Sequence, residues 1–218
     1  MKIGLFGGTF DPVHWGHLRS AEEVREAFSL DRLLFIPAAD PPHKKRPATS
    51  SPEDRLEMVR RAIAGNTRFA VSTAELSRPG KSYSIDTIRS FAAGRPRKSL
   101  YFILGLDAFR DIGSWKDYRE IFPLCHLIVI SRPGCEAAMS LAGMPVAARK
   151  SFCYDFQRKV YRHTSGTYLY FHRITAIAIS ASDVRVRVRA GKSIRYLVPP
   201  EVEAYIKQRS LYRVRQGR

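Results

Sequence analysis

The chain has 218 residues, with 37 Lys or Arg against 20 Asp or Glu, which gives a formal net charge of +17. This length suits a single α/β domain with a sizeable core and is short for two domains. No apolar run approaches the ~20 residues of a membrane span, and nothing resembles a signal peptide, so the sequence argues against a membrane protein. The excess of cations attracts polyanions of every kind and cannot separate a nucleotide enzyme from a nucleic-acid binder.

The cysteines are odd in number and lack the paired C-x-x-C spacing of a zinc site: Cys125, Cys135 and Cys153. This usage predicts a reduced, cytoplasmic protein. The sequence also lacks a G-x-G-x-x-G motif and a Walker A loop, so neither common phosphate-binding fingerprint explains it.

The first apolar run, residues 3–6, predicts a buried strand, and a helical pattern follows with residues 18, 21, 24 and 28 on one face. Between them lies the turn Gly7-Gly8-Thr9-Phe10, which continues through Pro12 to His14, Gly16 and His17. Glycines let backbone N–H groups approach an anion, and a helix N-terminus favours negative charge. The turn therefore predicts a phosphate site, with two histidines on one face of the first helical turn.

This run resembles the G-x-F-x-P-x-H-x-G-H motif of the nucleotidyltransferases related to class I aminoacyl-tRNA synthetases. Among them, the whole chain most resembles the bacterial nicotinate-nucleotide adenylyltransferase family. The resemblance implies a Rossmann-like, doubly wound parallel sheet with helices on both faces, in a single domain over residues 1–218. It also implies transfer of the adenylyl group of ATP to nicotinate mononucleotide. The residues it places at ATP in this turn are Gly7, Gly8, Thr9 and Phe10, with His14 and His17 at the phosphates.

A second buried strand is predicted at residues 33–37, and a loop rich in prolines and cations follows it. Such a loop, after the carboxyl end of a strand, lies where open α/β sheets bind ligands. Its Pro-Pro-His-Lys run resembles the family loop that lies over the nucleotide, which implies a triphosphate contact for Lys44. For Lys45 and Arg46 a solvated basic loop remains the alternative.

The next elements are a helix that Ser51 caps and Gly65 ends, and a third strand at residues 69–72. Ser84 is then predicted to cap a helix that runs through Phe91. The surrounding residues resemble the family motif S-Y-T-x-D-T, with Ser84 in place of the threonine. This resemblance implies that Ser84 contacts the nicotinate base.

The run 100–104 is wholly apolar, which predicts a central parallel strand that delivers Gly105 and Asp107 to the ligand edge. There a glycine permits close approach of a ribose, and the carboxylate accepts hydrogen bonds from its hydroxyls. The pair resembles the family motif G-x-D, and Trp115, eight residues later, is implied to stack on the pyridine ring. Lys116 is either a counter-charge for the nicotinate carboxylate or a solvent-exposed cation.

A fifth strand at residues 125–130 leads to a loop that resembles the family R-P-G loop and implies a substrate contact for Arg132. The following segment, about 135–173, is longer than expected between family motifs. From Arg149 to Arg173 it holds six cations and one acid, Asp155, interleaved with aromatics. Three readings stay open for this segment: a surface that stacks single-stranded RNA, an excursion packed on the domain, or a contact with a second subunit in a homo-oligomer.

A sixth strand is predicted at residues 174–179, followed by a run that resembles the family motif I-S-x-T-x-x-R. The residues of that motif are Ile179, Ser180, Ser182 and Arg185. Ser182 is predicted to cap a short helix, although alternating valines and arginines also fit a strand, and Arg185 offers a donor fork for phosphate. A last helix begins near Pro199, and a basic tail ends the segment 199–218.

The chemistry needs position and charge neutralisation more than a protein base, because the acceptor phosphate is already a nucleophile. We expect His14 and His17 to contact the α- and β-phosphates, and Ser182, Arg185 and Lys44 to hold the triphosphate. Mg²⁺ is expected to be carried mainly by the ATP phosphates, without a dedicated protein metal site. The alternatives are an adenylyl- or cytidylyltransferase with another phosphate acceptor, and an RNA-binding protein on the same fold. The sequence does not choose between nicotinate and nicotinamide mononucleotide.

Overall fold

The computed structural model describes residues 1–40, 49–131 and 139–213. Eight strands of the described residues form one sheet in the order β3-β2-β1-β4-β5-β8-β7-β6. The strands are β1 Ile3–Gly8, β2 Arg32–Pro37, β3 Phe69–Val71, β4 Leu100–Gly105, β5 His126–Ile130, β6 Phe152–Asp155, β7 Val160–His163 and β8 Tyr168–His172.

Eight α-helices connect or follow these strands in the described ranges. They are α1 Trp15–Ala27, α2 Pro52–Ile63, α3 Ser84–Ala92, α4 Leu106–Arg110, α5 Tyr118–Ile121, α6 Val146–Arg149, α7 Ala181–Arg189 and α8 Pro200–Gln208. Short 3-10 turns lie at Arg97–Ser99, Ile112–Ser114 and Leu141–Gly143. No helix in these ranges is both long enough and apolar enough to span a bilayer.

Six strands run parallel, and β7 and β6 then add an antiparallel hairpin at one end of the sheet. From β1 the chain builds outward to β2 and β3, and then returns to place β4 on the other side of β1. Ligands of open α/β sheets bind at the carboxyl ends of the strands where the winding reverses. The doubly wound fold is confirmed, and its crevice lies where β1 and β4 end, at Gly8 and Gly105.

Strand alternation sends side chains to both faces of the sheet and builds two cores. In β4, Phe102 and Leu104 lie in one core, whereas Tyr101 and Ile103 lie in the other. The core that contains Tyr101 and Ile103 packs under α1, α2, α7 and α8, and the core that contains Phe102 and Leu104 packs under α3, α4, α5 and α6. The glycine turn and the 179–185 motif therefore share one face of the sheet.

The predicted sixth strand at residues 174–179 is wrong, because residues 173–180 have no regular structure. The sixth parallel strand is β8, which lies in the 135–173 segment and pairs with β5. Downstream of β8 the chain leaves the sheet: the Ile174 N–H donates to Ser131 Oγ at 3.1 Å, and the Thr175 N–H donates to Glu23 at 2.8 Å. The segment thus supplies three strands of the sheet.

Two predicted helix caps are displaced. In α3 the cap is Tyr83, whose carbonyl oxygen accepts the first helical hydrogen bonds, so Ser84 is the first helical residue. In α7 the cap is Ser180, whose Oγ accepts from the Asp183 N–H at 3.1 Å, so Ser182 lies inside the first turn. The prediction of a helix rather than a strand at this motif is confirmed.

Candidate active site

The turn between β1 and α1 brings the two histidines of the first motif together. His14 caps α1 and His17 lies in its first turn. The backbone N–H of His14 donates to Nδ1 of His17 at 3.3 Å, and the two rings stack with centroids 3.7 Å apart. Because Nδ1 of His17 accepts this bond, the hydrogen of its neutral ring is on Nε2, which is therefore a donor.

Burial determines the charge of His14, which is 6% exposed. Loss of hydration lowers the pKa of His14 to about 4, so the ring is neutral at pH 7. Its Nδ1 atom is buried and has no hydrogen-bond partner among the described residues. A Cβ at Gly16 would lie 3.1 Å from this ring, so the glycine lets the helix backbone approach it. A phosphate oxygen bonded to this imidazole would offset the cost of its burial.

Phe10 supports His17 from the core. Its backbone is left-handed, with a φ of 51°, its side chain is buried, and its ring centroid lies 5.1 Å from that of His17. A Cβ at Gly8 would lie 2.7 Å from the Phe10 ring, so this position in the turn requires glycine. Since the ring is buried, the expected contact of Phe10 with ATP is restricted to its backbone.

Asp11 is the buried centre of the turn. Its Oδ1 accepts from the hydroxyls of Ser50 and, at 2.8 Å, Tyr212, and its Oδ2 accepts from the Thr49 N–H at 2.7 Å. Burial acts to raise the pKa of Asp11, but these hydrogen bonds and the charge of Arg185 outweigh it, and the pKa is lowered. The carboxylate is therefore ionised and has its acceptor sites occupied by protein donors.

Arg185 joins the motif at residues 179–185 to the glycine turn between β1 and α1. Its Nη1 donates to the Asp11 carbonyl oxygen at 2.6 Å, and its Nη2 donates to Ser182 Oγ at 3.2 Å. The guanidinium is mostly buried, and its Nε has no hydrogen-bond partner among the described residues. The two motifs predicted to hold phosphate are thus fastened to each other, and the N–H groups that begin α7 lie beside them.

Arg55 holds the carbonyl side of the same turn and is completely buried. Its Nη1 donates to the carbonyls of Thr9 at 2.9 Å and Ala38 at 2.6 Å, and its Nη2 donates to Ala39 at 3.1 Å. Burial lowers the pKa of Arg55, and the charge of Asp11 acts in the opposite direction. Arg55 therefore fixes the ends of β1 and β2 relative to each other.

The end of β4 lies next to the glycine turn. Gly105 caps α4, and Asp107 is in the first turn of that helix. A Cβ at Gly105 would meet no atom within 4 Å, so this position is open. Ile179, by contrast, packs against the core beneath α7, and the hydroxyl of Ser180 bonds Asp183 at 2.7 Å.

Ser82 and Thr87 fix the segment that contains Ser84. Ser82 Oγ accepts from the N–H groups of Ala39 at 2.9 Å and Asp40 at 3.2 Å, which ties this segment to the end of β2. Thr87 is buried and donates to Glu75 at 2.8 Å. Ser84 itself is half-buried at the start of α3. The segment is thus held beside the crevice by its neighbours.

Trp115 and Lys116 follow the 3-10 turn Ile112–Ser114. Trp115 is half-buried and packs edge-on against Phe102 of β4, with centroids 6.3 Å apart. Lys116 is exposed, and its Nζ lies 3.2 Å from Asp86 Oδ2 and 4.9 Å from the centre of the Tyr83 ring. Lys116 therefore extends over the start of α3, next to Ser84, and is partly neutralised there.

Two predicted site residues, Lys44 and Arg132, lie outside the described residues. Within the described ranges, no group of three or more His, Cys, Asp or Glu side chains is arranged to hold a metal ion. The donors at the turn are imidazoles, a guanidinium and backbone N–H groups. Such a set suits phosphate oxygens better than a bare cation.

Comparison with known proteins places this chain in a family. The Cytidylyltransferase-like family matches residues 5–187. The chain is 52% identical over 212 residues to a Geobacter sulfurreducens protein named "Probable nicotinate-nucleotide adenylyltransferase", covering 97% of this chain and 98% of that one. The chain belongs to the nicotinate-nucleotide adenylyltransferase family. A Geotalea uraniireducens relative with the same name is 49% identical over the same shares of the two chains.

Solved structures support the fold. Plasmodium falciparum nicotinic acid mononucleotide adenylyltransferase, complexed with NaAD, has a TM-score of 0.70 at 18% identity and covers 97% of each chain. The same enzyme complexed with APC has a TM-score of 0.71 at 17% identity, covering 97% of this chain and 96% of that one. At these identities the likeness concerns the fold alone. The two curated relatives align with 97% of this chain, so their alignments extend across the 135–173 segment.

Sequence reasoning missed the residues that position the site: Asp11, Arg55, Ser82 and Tyr212. Asp11 lies inside the first motif, where its spacing alone could have suggested a role. Arg55 occupies the apolar stripe of α2, four residues before Val59, which is an unusual place for a cation. Nothing in the local sequence distinguishes Tyr212.

Proposed function

We propose that the chain transfers the adenylyl group of ATP to nicotinate mononucleotide, with release of pyrophosphate. The observation that carries the proposal is the stacked His14 and His17 pair at the crevice, beside an Arg185 that the same turn anchors. The two relatives are 52% and 49% identical to this chain over nearly their full length, and their names state this activity.

The reaction joins an oxygen of the acceptor 5′-phosphate to the α-phosphorus of ATP, while the bond from that phosphorus to the β-phosphate oxygen breaks. The bonding electrons leave with pyrophosphate, and no covalent enzyme intermediate forms. Negative charge accumulates on the α- and β-phosphate oxygens, so preorganised donors supply most of the acceleration.

We assign those donors to the described crevice. His17 donates from Nε2 and neutral His14 from its ring N–H, and the guanidinium of Arg185 neutralises the departing phosphates. Ser182 and the free N–H groups of α7 bind further oxygens, and Asp107 accepts from the ribose hydroxyls. The other residues proposed at ATP are Gly7, Gly8, Thr9, the backbone of Phe10, Lys44, Gly105, Ile179 and Ser180.

We further propose that a divalent ion, Mg²⁺, enters with ATP and is held mainly by the phosphate oxygens. The donor set fits this arrangement, because the buried carboxylate of Asp11 is already occupied by hydroxyl and N–H donors. When bound, Mg²⁺ neutralises charge on the phosphates, and the protein residues orient them.

The acceptor site is proposed at the carboxyl end of β4 and the N-terminal end of α3. Trp115 offers a face for the pyridine ring, and Ser84 donates to the nicotinate group. Lys116 places positive charge next to this segment, and Arg132 is a further candidate contact. The Asp86 carboxylate near Lys116 partly neutralises that charge, and the Lys116 side chain is exposed to water. The proposed contact with the nicotinate carboxylate is therefore modest in energy.

A pyrophosphate-release assay with ATP and a panel of phosphate acceptors tests the function. We expect nicotinate mononucleotide to give the highest kcat/KM, ahead of nicotinamide mononucleotide and other phosphomonoesters. Efficient transfer only to an unrelated acceptor would assign the chain to another nucleotidyltransferase activity.

Cysteines that are free in the described residues, Cys125 and Cys153, support a reducing compartment, and we propose the cytoplasm.

The packing of the 135–173 segment gives little support to an RNA-binding role. The aromatic residues of the 135–173 segment pack mainly on one another and on the sheet: Phe152 against Phe122 at 5.2 Å, and Phe171 against Phe109 at 5.4 Å. The exceptions are Phe156, at 82% exposed, and Tyr154, at 40%, whose rings meet edge-to-face at 4.9 Å. Two rings that already contact each other give little surface for stacking successive bases.

A further inference from the structure

The C-terminal part of the described chain reaches the glycine turn. Helix α8 packs on α2, and residues 209–213 follow it across the same face of the sheet. Tyr212 is 6% exposed, and its hydroxyl donates to Asp11 Oδ1 at 2.8 Å. Its backbone is left-handed, with a φ of 64°, and its ring lies in the core. The contact joins positions that are 201 residues apart in sequence.

Asp11 passes this contact to the groups that hold phosphate. Its own carbonyl oxygen accepts from Nη1 of Arg185 at 2.6 Å, and its carboxylate lies 3.9 Å from the same nitrogen. Three residues later the chain reaches His14. A shift of the Asp11 side chain therefore changes the anchor of Arg185 and the path of the turn that carries the imidazoles.

We propose that Tyr212 is a positioning residue for adenylyl transfer, acting through Asp11 on Arg185 and the glycine turn. The inference rests on the proposed function, since Arg185 is assigned there to the phosphates. Tyr212 touches neither ATP nor acceptor in this scheme. Its hydroxyl fixes the location of the groups that do, and a displacement of about 1 Å in such groups can cost 10²-fold in rate.

The chain offers a matched control in Tyr205 of α8. Tyr205 is 8% exposed, and its hydroxyl donates to Asp54 Oδ1, also at 2.8 Å. The two tyrosines thus make the same kind of buried bond to a carboxylate. Asp54 lies in the first turn of α2 and is not part of the glycine turn. A variant that only loosens the C-terminal segment should therefore behave alike at both positions.

The test compares Tyr212→Phe with Tyr205→Phe in the full chain. We expect similar falls in the thermal midpoint, because each variant loses one buried hydrogen bond. Only Tyr212→Phe should lower kcat, by about tenfold, while the KM for nicotinate mononucleotide changes less than about twofold. Equal kcat values for Tyr212→Phe and wild type, or equal losses in the two variants, would overturn the inference.

A double-mutant cycle identifies the route. If Tyr212 acts through Asp11, adding Tyr212→Phe to Asp11→Asn should lower kcat no further. Adding Tyr205→Phe to Asp11→Asn should instead change kcat by the same small factor as Tyr205→Phe does in the wild type. Multiplicative effects of Tyr212→Phe and Asp11→Asn would contradict the route. Should Asp11→Asn fail to fold, the comparison of Tyr212→Phe with Tyr205→Phe alone decides whether Tyr212 positions the site.

Failure of the proposed function is distinguished by the wild-type protein alone. A folded wild type that released no pyrophosphate with any acceptor would remove that function. The same cycle would then be scored on the ATP dissociation constant by calorimetry. A weaker affinity confined to Tyr212→Phe and Asp11→Asn would still support the positioning role, and unchanged affinity would end it.

Discussion

At the scale of single residues, burial determines the charge that His14 brings to the proposed phosphate site. With a pKa of about 4, its imidazole is neutral at pH 7, so the proposed contact is a hydrogen bond without a charge. Positive charge comes instead from Arg185, whose anchor is the Asp11 carbonyl. A neutral His14 does not repel the ring of His17 stacked on it, and Arg185 is the cation proposed for the phosphates.

His17→Ala is expected to lower kcat by about two to four orders of magnitude, the range for losing one donor that stabilises transition-state charge. The reason is that Nε2 of His17 is the donor left by its hydrogen bond from His14. Steady-state turnover at saturating ATP measures the effect, with His163→Gln on β7 as the control. Wild-type turnover in folded His17→Ala would contradict the assigned role.

Acid should destabilise the protein through its buried histidines. Burial, aided by the charges of Lys2 and Lys98, lowers the pKa of His126 to about 4, and burial does the same for His14. Between pH 6.5 and 4 the unfolded chain binds more protons than the folded one, so stability falls as pH falls through this window. Each group contributes up to about 1.4 kcal/mol per pH unit.

Urea unfolding of wild type and His126→Gln at pH 7 and pH 5 measures this dependence. The variant should lose less stability between the two pH values, because one of the buried imidazoles no longer titrates. Identical losses in both proteins would show that His126 does not carry the effect.

Acceptor selectivity should favour nicotinate over nicotinamide mononucleotide by at least about tenfold in kcat/KM, a difference of roughly 1.4 kcal/mol. A site built around the ring carboxylate leaves its own polar groups unmatched when it binds the amide. Trp115→Ala should weaken both acceptors, whereas Lys116→Ala should narrow the gap and Lys207→Ala, in an ion pair on α8, should not. Equal use of both acceptors by wild type would remove the nicotinate preference.

At the scale of elements, α7 depends on its cap. Ser180→Ala should lower the free energy of unfolding by about 1 kcal/mol, the usual cost of losing a side-chain cap. Ser182→Ala should cost less stability but raise the KM for ATP, since Ser182 Oγ meets Arg185 rather than a backbone N–H. Chemical denaturation and ATP kinetics of the two variants check this. A larger loss of stability in Ser182→Ala than in Ser180→Ala would indicate that Ser182, and not Ser180, caps α7.

Local pattern was sufficient for most elements and insufficient where tertiary contacts compete. The first five parallel strands follow from apolar runs, and α7 was predicted as a helix from a capping serine in its motif, although the cap is Ser180 and not the predicted Ser182. The runs 168–172 and 174–179 both suit a strand, and only hydrogen bonds from residues 174 and 175 to Ser131 and Glu23 decide between them. Those partners lie 43 and 152 residues away, beyond any local signal.

The site shows the same division. Glycine and histidine spacing predicts a phosphate site at the glycine turn because those residues are local in sequence, and the structure stacks the two histidines there. Asp11 was visible in the motif, but its partners Thr49, Ser50 and Tyr212 come from segments that only the folded core brings near. Positioning residues of this kind carry no spacing of their own.

At the scale of the whole molecule, the positive charge is spread over more than one surface. An open groove of about 880 Å³ between α7 and α8 is lined by cations including Arg189, Lys192 and Arg195. The turn between β6 and β7 carries Arg158 and Lys159 at the same edge of the sheet as the crevice. It lies four to five strand spacings from β1, about 19 to 24 Å at the usual strand spacing.

Charge reversal of Arg158, Lys159 and Arg162 should therefore leave the KM for ATP within about twofold of wild type, because exposed charges this far apart are screened at 0.15 M salt. Arg185→Ala is the positive control and should raise the KM for ATP. Steady-state kinetics at two salt concentrations provide the measurement. A large rise in the reversed variant would place the 135–173 segment at the nucleotide, and loss of steeply salt-dependent RNA binding would revive the RNA hypothesis.

The hydrogen bond from Tyr212 to Asp11 also orders events during biosynthesis. A ribosome makes the chain from its N-terminus, so the glycine turn emerges first and its tyrosine partner emerges 201 residues later. By then every strand of the described sheet has been synthesised, and the nascent domain can bury most of its core. The glycine turn is thus made before most of the sheet and is among the last parts of the described chain to gain its full set of contacts.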